Sequence, residues 1–382
     1  MGYLRVAYYA VERLPLGIWT IALALATCAS ACAGSQRAAE LQPLIGRATR
    51  DYVDETRARW MGSGARPLSV VVWYPAAVGS VESDWLLGPP TDPLFRLGRS
   101  AVDAAVAPLG SKRPLVLLSH GTGGSAAMLA WLAEPLARAG YVVVGLNHHG
   151  NTAAEDLPTP EGFMLSWERA VDLSRVLDRV LDDAKFGPLI DSSRVGAAGF
   201  SLGGYSVVAV TGGRVSLSQW EAFCASAQRD STCEPQPEFP NAFVEFEKIR
   251  NRPDVLASLE HHGDSFRDTR FKAAFAMAPV GSWLTSASLS EVSVPMRIVV
   301  GAEDRTTPVA TNAKRISGMI PGAQLLVLER VGHYSLLAEC TASGMKQRTD
   351  LCHEESGVER ANVHRRVAAD AEAFFDSVLR KP

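Results

Sequence analysis

The sequence predicts an α/β domain built on a mostly parallel sheet with helices on both faces. Three observations predict it. Short continuous Val/Leu/Ala runs alternate along the chain with amphipathic helical stretches, the pattern of strands buried on both faces. The pentapeptide Gly199-Phe200-Ser201-Leu202-Gly203 stands where one strand run ends and a helix-compatible run, 204–210, begins. Candidate acid, base and glycine-loop residues fall just past the ends of other strand runs, where ligands bind in open parallel sheets. The 382 residues suffice for one large domain with insertions or for two ordinary ones.

The first element is not expected to belong to the fold. Arg5 and Arg13 precede an apolar stretch, 14–33, which ends in Ala29-Ser30-Ala31-Cys32-Ala33-Gly34. A basic flank, a short apolar core and small residues at a cut site describe a secretory signal over 1–33. Cleavage before Cys32 would leave a lipidated cysteine and a membrane attachment; cleavage after Ala31 or Ala33 would release the protein. The alternative is an uncleaved anchor. Residues 34–65 read as a linker.

The core is expected over 66–212 and 271–382. Residues 69–76 read as an early strand, and 80–112, rich in Gly, Pro and Asp, as a surface excursion with one short helical patch. A strand over 114–119 runs into His120-Gly121-Thr122-Gly123-Gly124. A helix over 125–138 stops at Gly140, and 141–146 is the next strand. The apolar spacing of Val171, Leu173, Val176, Leu177, Val180 and Leu181 predicts one long helix over 163–183. Strands follow at 194–200, 271–277, 295–300 and 324–328, and helices at 309–319 and 357–379.

One segment, 213–270, breaks the alternation. It is long and polar, holds Cys224 and Cys233, and has helical stretches near 243–249 and 255–261. It reads as a lid over Ser201, the alternative being a peripheral excursion. The remaining cysteines, Cys340 and Cys352, form a second local pair. An even number of loop cysteines in an exported chain suggests disulfides, here Cys224–Cys233 and Cys340–Cys352 because each loop is short. Four free thiols are the alternative. No Cys-x-x-Cys or His-x-x-x-His spacing calls for a metal. A net charge of −3 gives no reason to expect nucleic acid as a partner.

The strand–serine–helix layout is that of a nucleophile elbow, with small residues needed two positions either side of a strained serine. A serine hydroxyl needs a base, the base an orienting acid, and a developing oxyanion needs fixed N–H donors. The acid candidate is Asp304, in a turn between Gly301 and Pro308, with Glu303 as alternative. The base candidate is His333: it alone of the eight histidines follows a strand with a glycine before it. The oxyanion donors expected are the backbone N–H groups of Leu202 and Thr122. A phosphate cradle is discounted for 120–124 because no Lys-Ser/Thr follows. His120 reads as structural. His148 or His149 lines the pocket mouth or the surface. Trp167 or Trp283 walls a pocket or, the better reading, packs in the core.

Taken with Val71-Val72-Trp73-Tyr74-Pro75-Ala76, Leu118 to Gly124, Leu146-Asn147-His148-His149-Gly150-Asn151-Thr152, Gly199 to Gly204, and Gly301 to Pro308, the chain resembles the α/β-hydrolase superfamily over 66–380. Within it, the chain is similar to bacterial predicted dienelactone hydrolases related to platelet-activating-factor acetylhydrolase. The resemblance implies hydrolysis of a small-molecule ester through an acyl-enzyme on Ser201, without a cofactor. The elbow residue is serine where true dienelactone hydrolases carry cysteine, so lactone chemistry is not carried over. The stretch Met277-Ala278-Pro279-Val280 holds no acid, which favours Asp304. The same residues would serve an amidase or peptidase; a binding protein that merely kept the fold would lack one of them.

Overall fold

The computed structural model describes residues 43–108 and 110–380. The expected signal, with Cys32, lies outside them. Strands β1 (Ile45–Ala58), β2 (Ala65–Pro75), β3 (Ser83–Leu87), β4 (Phe95–Val102), β5 (Arg113–Ser119), β6 (Val142–Leu146), β7 (Ile190–Phe200), β8 (Phe271–Met277), β9 (Met296–Gly301), β10 (Gln324–Leu328) and β11 (Glu339–Cys340) form one sheet. Its order is β10-β9-β8-β7-β5-β6-β2-β1-β4-β11, with β3 paired to β4. Strands β5 to β10 run parallel to their neighbours within that group, and β2 is antiparallel to both β6 and β1. The central strands are apolar on both faces because helices cover both. Leu115 to Leu118, Val142 to Val144 and Ala273 to Met277 are all fully buried.

The helices that matter below are α1 (Ala130–Arg138), α2 (Glu168–Asp182), α3 (Leu202–Val210), α4 (Leu217–Cys224), α5 (Ala242–Ile249), α6 (Pro253–Glu260), α7 (Ala313–Met319) and α8 (Arg360–Leu379). All nine residues of α3 are buried. It is the helix behind Ser201, and no face of it meets water.

Three expectations need correction. The supposed linker 34–65 contains β1, which pairs antiparallel with β2 from Ile45↔Pro75 to Asp54↔Arg66. Its charges hid it. Arg50 and Tyr52 bond Asp183, and Arg57 bonds Asp54, Glu168 and Asp172, so partners on and beyond α2 satisfy what looked like solvent-facing polarity. The supposed excursion 80–112 holds the antiparallel pair β3–β4, with Phe95 and Leu97 buried. Gly98 leaves room there for the Glu134 carboxylate of α1, which a Cβ would meet at 2.4 Å. The helix expected over 163–183 is broken: a short helix, Pro160–Met164, ends before α2 begins. Leu165 and Trp167 at the break are buried in a small second core with Trp60 and with Val255 of α6. Tertiary packing outweighs helical propensity at that point.

Both local disulfides are present, Cys224–Cys233 and Cys340–Cys352. Among the described residues, no helix is long and apolar enough to cross a membrane, and no cluster of three metal-ligating side chains occurs.

Candidate active site

Ser201 links β7 to α3 with φ 56° and ψ −119°, a left-handed backbone that side chains other than glycine rarely adopt. The surroundings hold it there. Its N–H donates to Met277 O at 2.8 Å, and its carbonyl accepts from Tyr205 N at 3.1 Å. A Cβ on Gly199 would lie 2.2 Å from Gly203 O, and one on Gly203 would lie 1.9 Å from Ser119 O. The two glycines therefore do different work: Gly199 lets strand meet helix, and Gly203 lets the helix approach the end of β5.

Asp304 and His333 come from the turns after β9 and β10. Gly301 makes their approach possible, since a Cβ there would lie 2.1 Å from Val331 O. His333 Nε2 is 3.0 Å from Ser201 Oγ, and His333 Nδ1 is 2.7 Å from Asp304 Oδ2. With Nδ1–H donating to the carboxylate, Nε2 is left to accept from the serine hydroxyl. Asp304 is itself fixed: Oδ1 accepts the N–H groups of Thr306 at 3.0 Å and Thr307 at 2.7 Å, and Oδ2 accepts the Thr307 hydroxyl at 2.9 Å. Thr307 was not singled out in the sequence; its place three residues after an acid in a proline-closed turn was the available signal. Glu303 is exposed, and among the described residues its carboxylate makes no hydrogen bond.

The loop after β5 is braced by the loop after β6. Asn151 Oδ1 accepts from Gly123 N at 2.6 Å, Asn147 Oδ1 accepts from Ala126 N at 2.9 Å, and the Thr152 hydroxyl donates to Gly124 O at 2.9 Å. Thr122 and Leu202 lie beside Ser201, and neither backbone N–H donates to another described residue. Backbone N–H groups without an acceptor are the kind of donor that receives a developing negative charge.

His148 and His149 do not line the pocket mouth; both are buried. His149 accepts the Trp60 N–H and pairs with Glu155 at 2.7 Å. His148 belongs to a second Ser–His–Asp chain. Its Nε2 is 2.8 Å from Ser119 Oγ and its Nδ1 is 2.9 Å from Asp172 Oδ2. Burial, with Arg169 nearby, depresses the His148 pKa to about 3. Burial would raise the pKa of Asp172, but the charges of Arg66 and Arg57 outweigh it and hold the carboxyl well below its usual range. The backbone N–H of His148 donates to His120 Nε2 at 3.1 Å, and His120 Nδ1–H donates to Gly121 O at 2.7 Å. Arg169, fully buried on α2, donates to the His120 carbonyl. This network sits under the glycine loop and ties it down, in keeping with the structural role expected of His120.

Two cavities meet at Ser201. One, of about 110 Å³, is walled by Phe163, Trp167, Trp220, Phe243 and Trp283. Trp167, buried in the small second core, and Trp283, packed against the main core, thus also wall a pocket. The other is a cleft of about 490 Å³ that runs past His333 and Tyr334 toward Arg348 and Leu351 in the second disulfide loop. Segment 213–270 lies over the first cavity rather than at the periphery. It is anchored on both sides: the Thr232 and Ser282 hydroxyls bond at 2.9 Å, Ser231 donates to Thr306 O at 2.9 Å, and Arg252 pairs with Glu161 at 2.6 Å.

A mostly parallel sheet with a serine at a strained strand–helix turn, facing a histidine and a carboxylate from later strand ends, defines a hydrolase-type α/β protein. The model of the alpha/beta hydrolase family matches residues 115–342, and the chain belongs to that family. Among solved structures, a ferulic acid esterase from Streptomyces cinnamoneus superposes with a TM-score of 0.58 at 21% identity, covering 90% of this chain and 92% of that one. A puromycin-hydrolyzing peptidase from Mycobacterium tuberculosis gives a TM-score of 0.48 at 14% identity, over 87% of this chain and 39% of that one. No curated protein matches the sequence.

Proposed function

We propose that this protein is an exported serine hydrolase that cleaves carboxylic esters through an acyl-enzyme. The observation that carries the reading is the hydrogen-bonded chain Ser201–His333–Asp304 at the junction of two cavities. His333 Nε2 takes the Ser201 proton as Oγ attacks the ester carbonyl. The Leu202 and Thr122 N–H groups hold the oxyanion, and Asp304 stabilises the imidazolium. His333 then returns that proton to the leaving alcohol. Water, deprotonated by the same nitrogen, attacks the acyl-serine and releases the acid and the free serine. The ferulic acid esterase among the structural neighbours is in keeping with an ester as substrate. A place near the dienelactone hydrolase and acetylhydrolase-like serine esterases rests on the motifs quoted above.

Export rests on the basic and apolar leader and on the two disulfides, which persist in oxidising compartments. Attachment through a lipidated Cys32 is the form proposed.

The test is hydrolysis of p-nitrophenyl esters by the mature protein beside its Ser201→Ala variant. Serine-dependent turnover is the expected result. Equal rates from the two folded proteins would overturn the acyl-enzyme. Faster cleavage of a matched anilide than of the ester would move the reading to an amidase.

A further inference from the structure

The two cavities at Ser201 are unequal, and the residues they share and do not share give them different roles. Ser201, Thr122, Gln236 and Thr306 border both, so the junction is where the reacting carbon sits. Leu202 borders the smaller cavity only, and His333 borders the cleft only. A general acid must lie within hydrogen-bond reach of the oxygen it protonates. The leaving oxygen therefore faces the cleft, and the acyl carbon's other substituent is directed into the smaller cavity. The same arrangement serves the second half of the reaction. The departing alcohol vacates the cleft on the His333 side, which is where the hydrolytic water must enter, while the acyl group stays seated.

We infer that the acyl group binds in the aromatic cavity and the alcohol in the cleft, so that the enzyme selects esters of compact, planar, ring-bearing acids and tolerates varied, bulkier alcohols. This rests on the serine-esterase reading and names its substrate class. Five aromatic rings stand in the wall of the smaller cavity, beside aliphatic residues such as Leu217 and Val280, and flat faces suit a flat acyl group better than a long flexible chain. Trp220 of α4 and Phe243 of α5 stand nearly parallel, at 13°, with centroids 6.3 Å apart. Trp220 meets Trp283 edge to face at 6.4 Å, and Trp283 meets Tyr205 of α3 at 5.3 Å. These contacts tie the insertion's rings to the helix behind the serine and limit how far the wall can yield. The insertion thereby sets acyl specificity. The cleft, several times larger and edged by Arg348 and Asp350, sets much less on the alcohol side.

The experiment measures kcat/KM in two series. One holds the p-nitrophenol leaving group and varies the acyl group through acetyl, butyryl, benzoyl, cinnamoyl and decanoyl. The other holds benzoyl and varies the alcohol through methyl, benzyl and naphthylmethyl. Expected are a spread of about 100-fold or more in the first series, with a ring-bearing acid fastest and decanoyl slowest, and less than about tenfold in the second. Phe243→Ala and Trp220→Ala should raise decanoyl over benzoyl by about tenfold or more and leave the order of the alcohol series as it was. A steep alcohol series with a flat acyl series, or variants that move the alcohol series instead, would overturn the assignment. Labelling of Ser201 by a small fluorophosphonate, run on each protein, separates the two readings. Labelling with the wrong specificity sinks the subsite assignment alone, and no labelling of the folded native protein sinks the serine esterase itself.

Discussion

Two Ser–His–Asp chains lie within this molecule, and their bond lengths alone do not tell them apart. In Ser201–His333–Asp304 the two links measure 3.0 and 2.7 Å; in Ser119–His148–Asp172 they measure 2.8 and 2.9 Å. What differs is everything around them. Ser201 sits on a strained turn at the junction of two cavities, beside unclaimed N–H donors. Ser119 is the last residue of a regular strand, is fully buried and borders neither cavity. Asp304 faces threonine donors, whereas Asp172 faces Arg66 and Arg57. A histidine whose pKa is depressed to about 3 accepts no proton near neutrality. Access, strain and electrostatics set the chain proposed as catalytic apart from one whose three side chains form a buried hydrogen-bond network.

The largest effect expected from breaking the comparison is on turnover. Ser201→Ala should lower kcat by a factor on the order of 10⁴ or more, and Asp304→Asn by about 10⁴, with the fold intact. Ester hydrolysis beside a circular dichroism melt checks both. Activity of Asp304→Asn within tenfold of native would remove Asp304 from the chain and hand orientation of His333 to Thr307, which lies 3.3 Å from Nδ1.

Removing the carboxylate of the buried chain should act on stability instead. Asp172→Ala leaves the buried guanidinium of Arg66 without its partner and Arg57 short of one. Removing one member of such a cluster costs about 3–5 kcal/mol. Urea unfolding should show a midpoint well below native. A native midpoint with a large loss of turnover would mean that Asp172 serves the chemistry after all.

A third, smaller effect separates the histidines by pH. His120, His148 and His364 are pushed down from an ordinary value of 6.5, chiefly by burial, the last two to about 3. A depressed histidine stabilises the fold fully above its unfolded pKa. That stability is lost as pH falls from about 6.5 toward about 3, because the unfolded chain then binds protons the folded chain does not. Unfolding at about pH 5 should therefore take up about two protons from His148 and His364, with His120 adding in the same direction, and the melting point should fall between about pH 7.5 and 5. A melting point independent of pH across that range would mean that these imidazoles are not held neutral.

The contrast between the two chains also marks what was legible in the sequence. Ser201, Asp304 and His333 could be read because each sits in a turn whose glycine is a local signal: Gly199 and Gly203, Gly301, Gly332. The roles proposed for them rest on chain order and strand ends, both one-dimensional properties. The second chain was not legible. Ser119 ends β5, His148 lies in the loop just after the adjacent β6, and Asp172 projects from a helix, so only register and packing bring them together. Strand β1 was missed for the same reason. Arg57 and Asp54 look solvated until α2 supplies Glu168 and Asp172. The break at Leu165–Trp167 escaped because the helical period runs through it, while the small core with Trp60 and Val255 is assembled from remote segments.

The smallest effect is the sharpest test of the contrast. Ser119→Ala removes the serine of the buried chain and nothing of the loop's backbone. Its hydroxyl serves His148 Nε2, so the loss leaves one buried imidazole nitrogen without a donor. Such an unsatisfied group costs about 1–3 kcal/mol. The links from His148 N–H to His120, and from His120 to Gly121 O, do not pass through that hydroxyl. Glycine-loop geometry should therefore survive, and kcat should stay within about threefold of native while the melting point drops by a few degrees. A loss of turnover approaching that of Ser201→Ala, in a protein that melts normally, would show that the buried serine takes part in the reaction and that burial is a poor guide to which chain is catalytic.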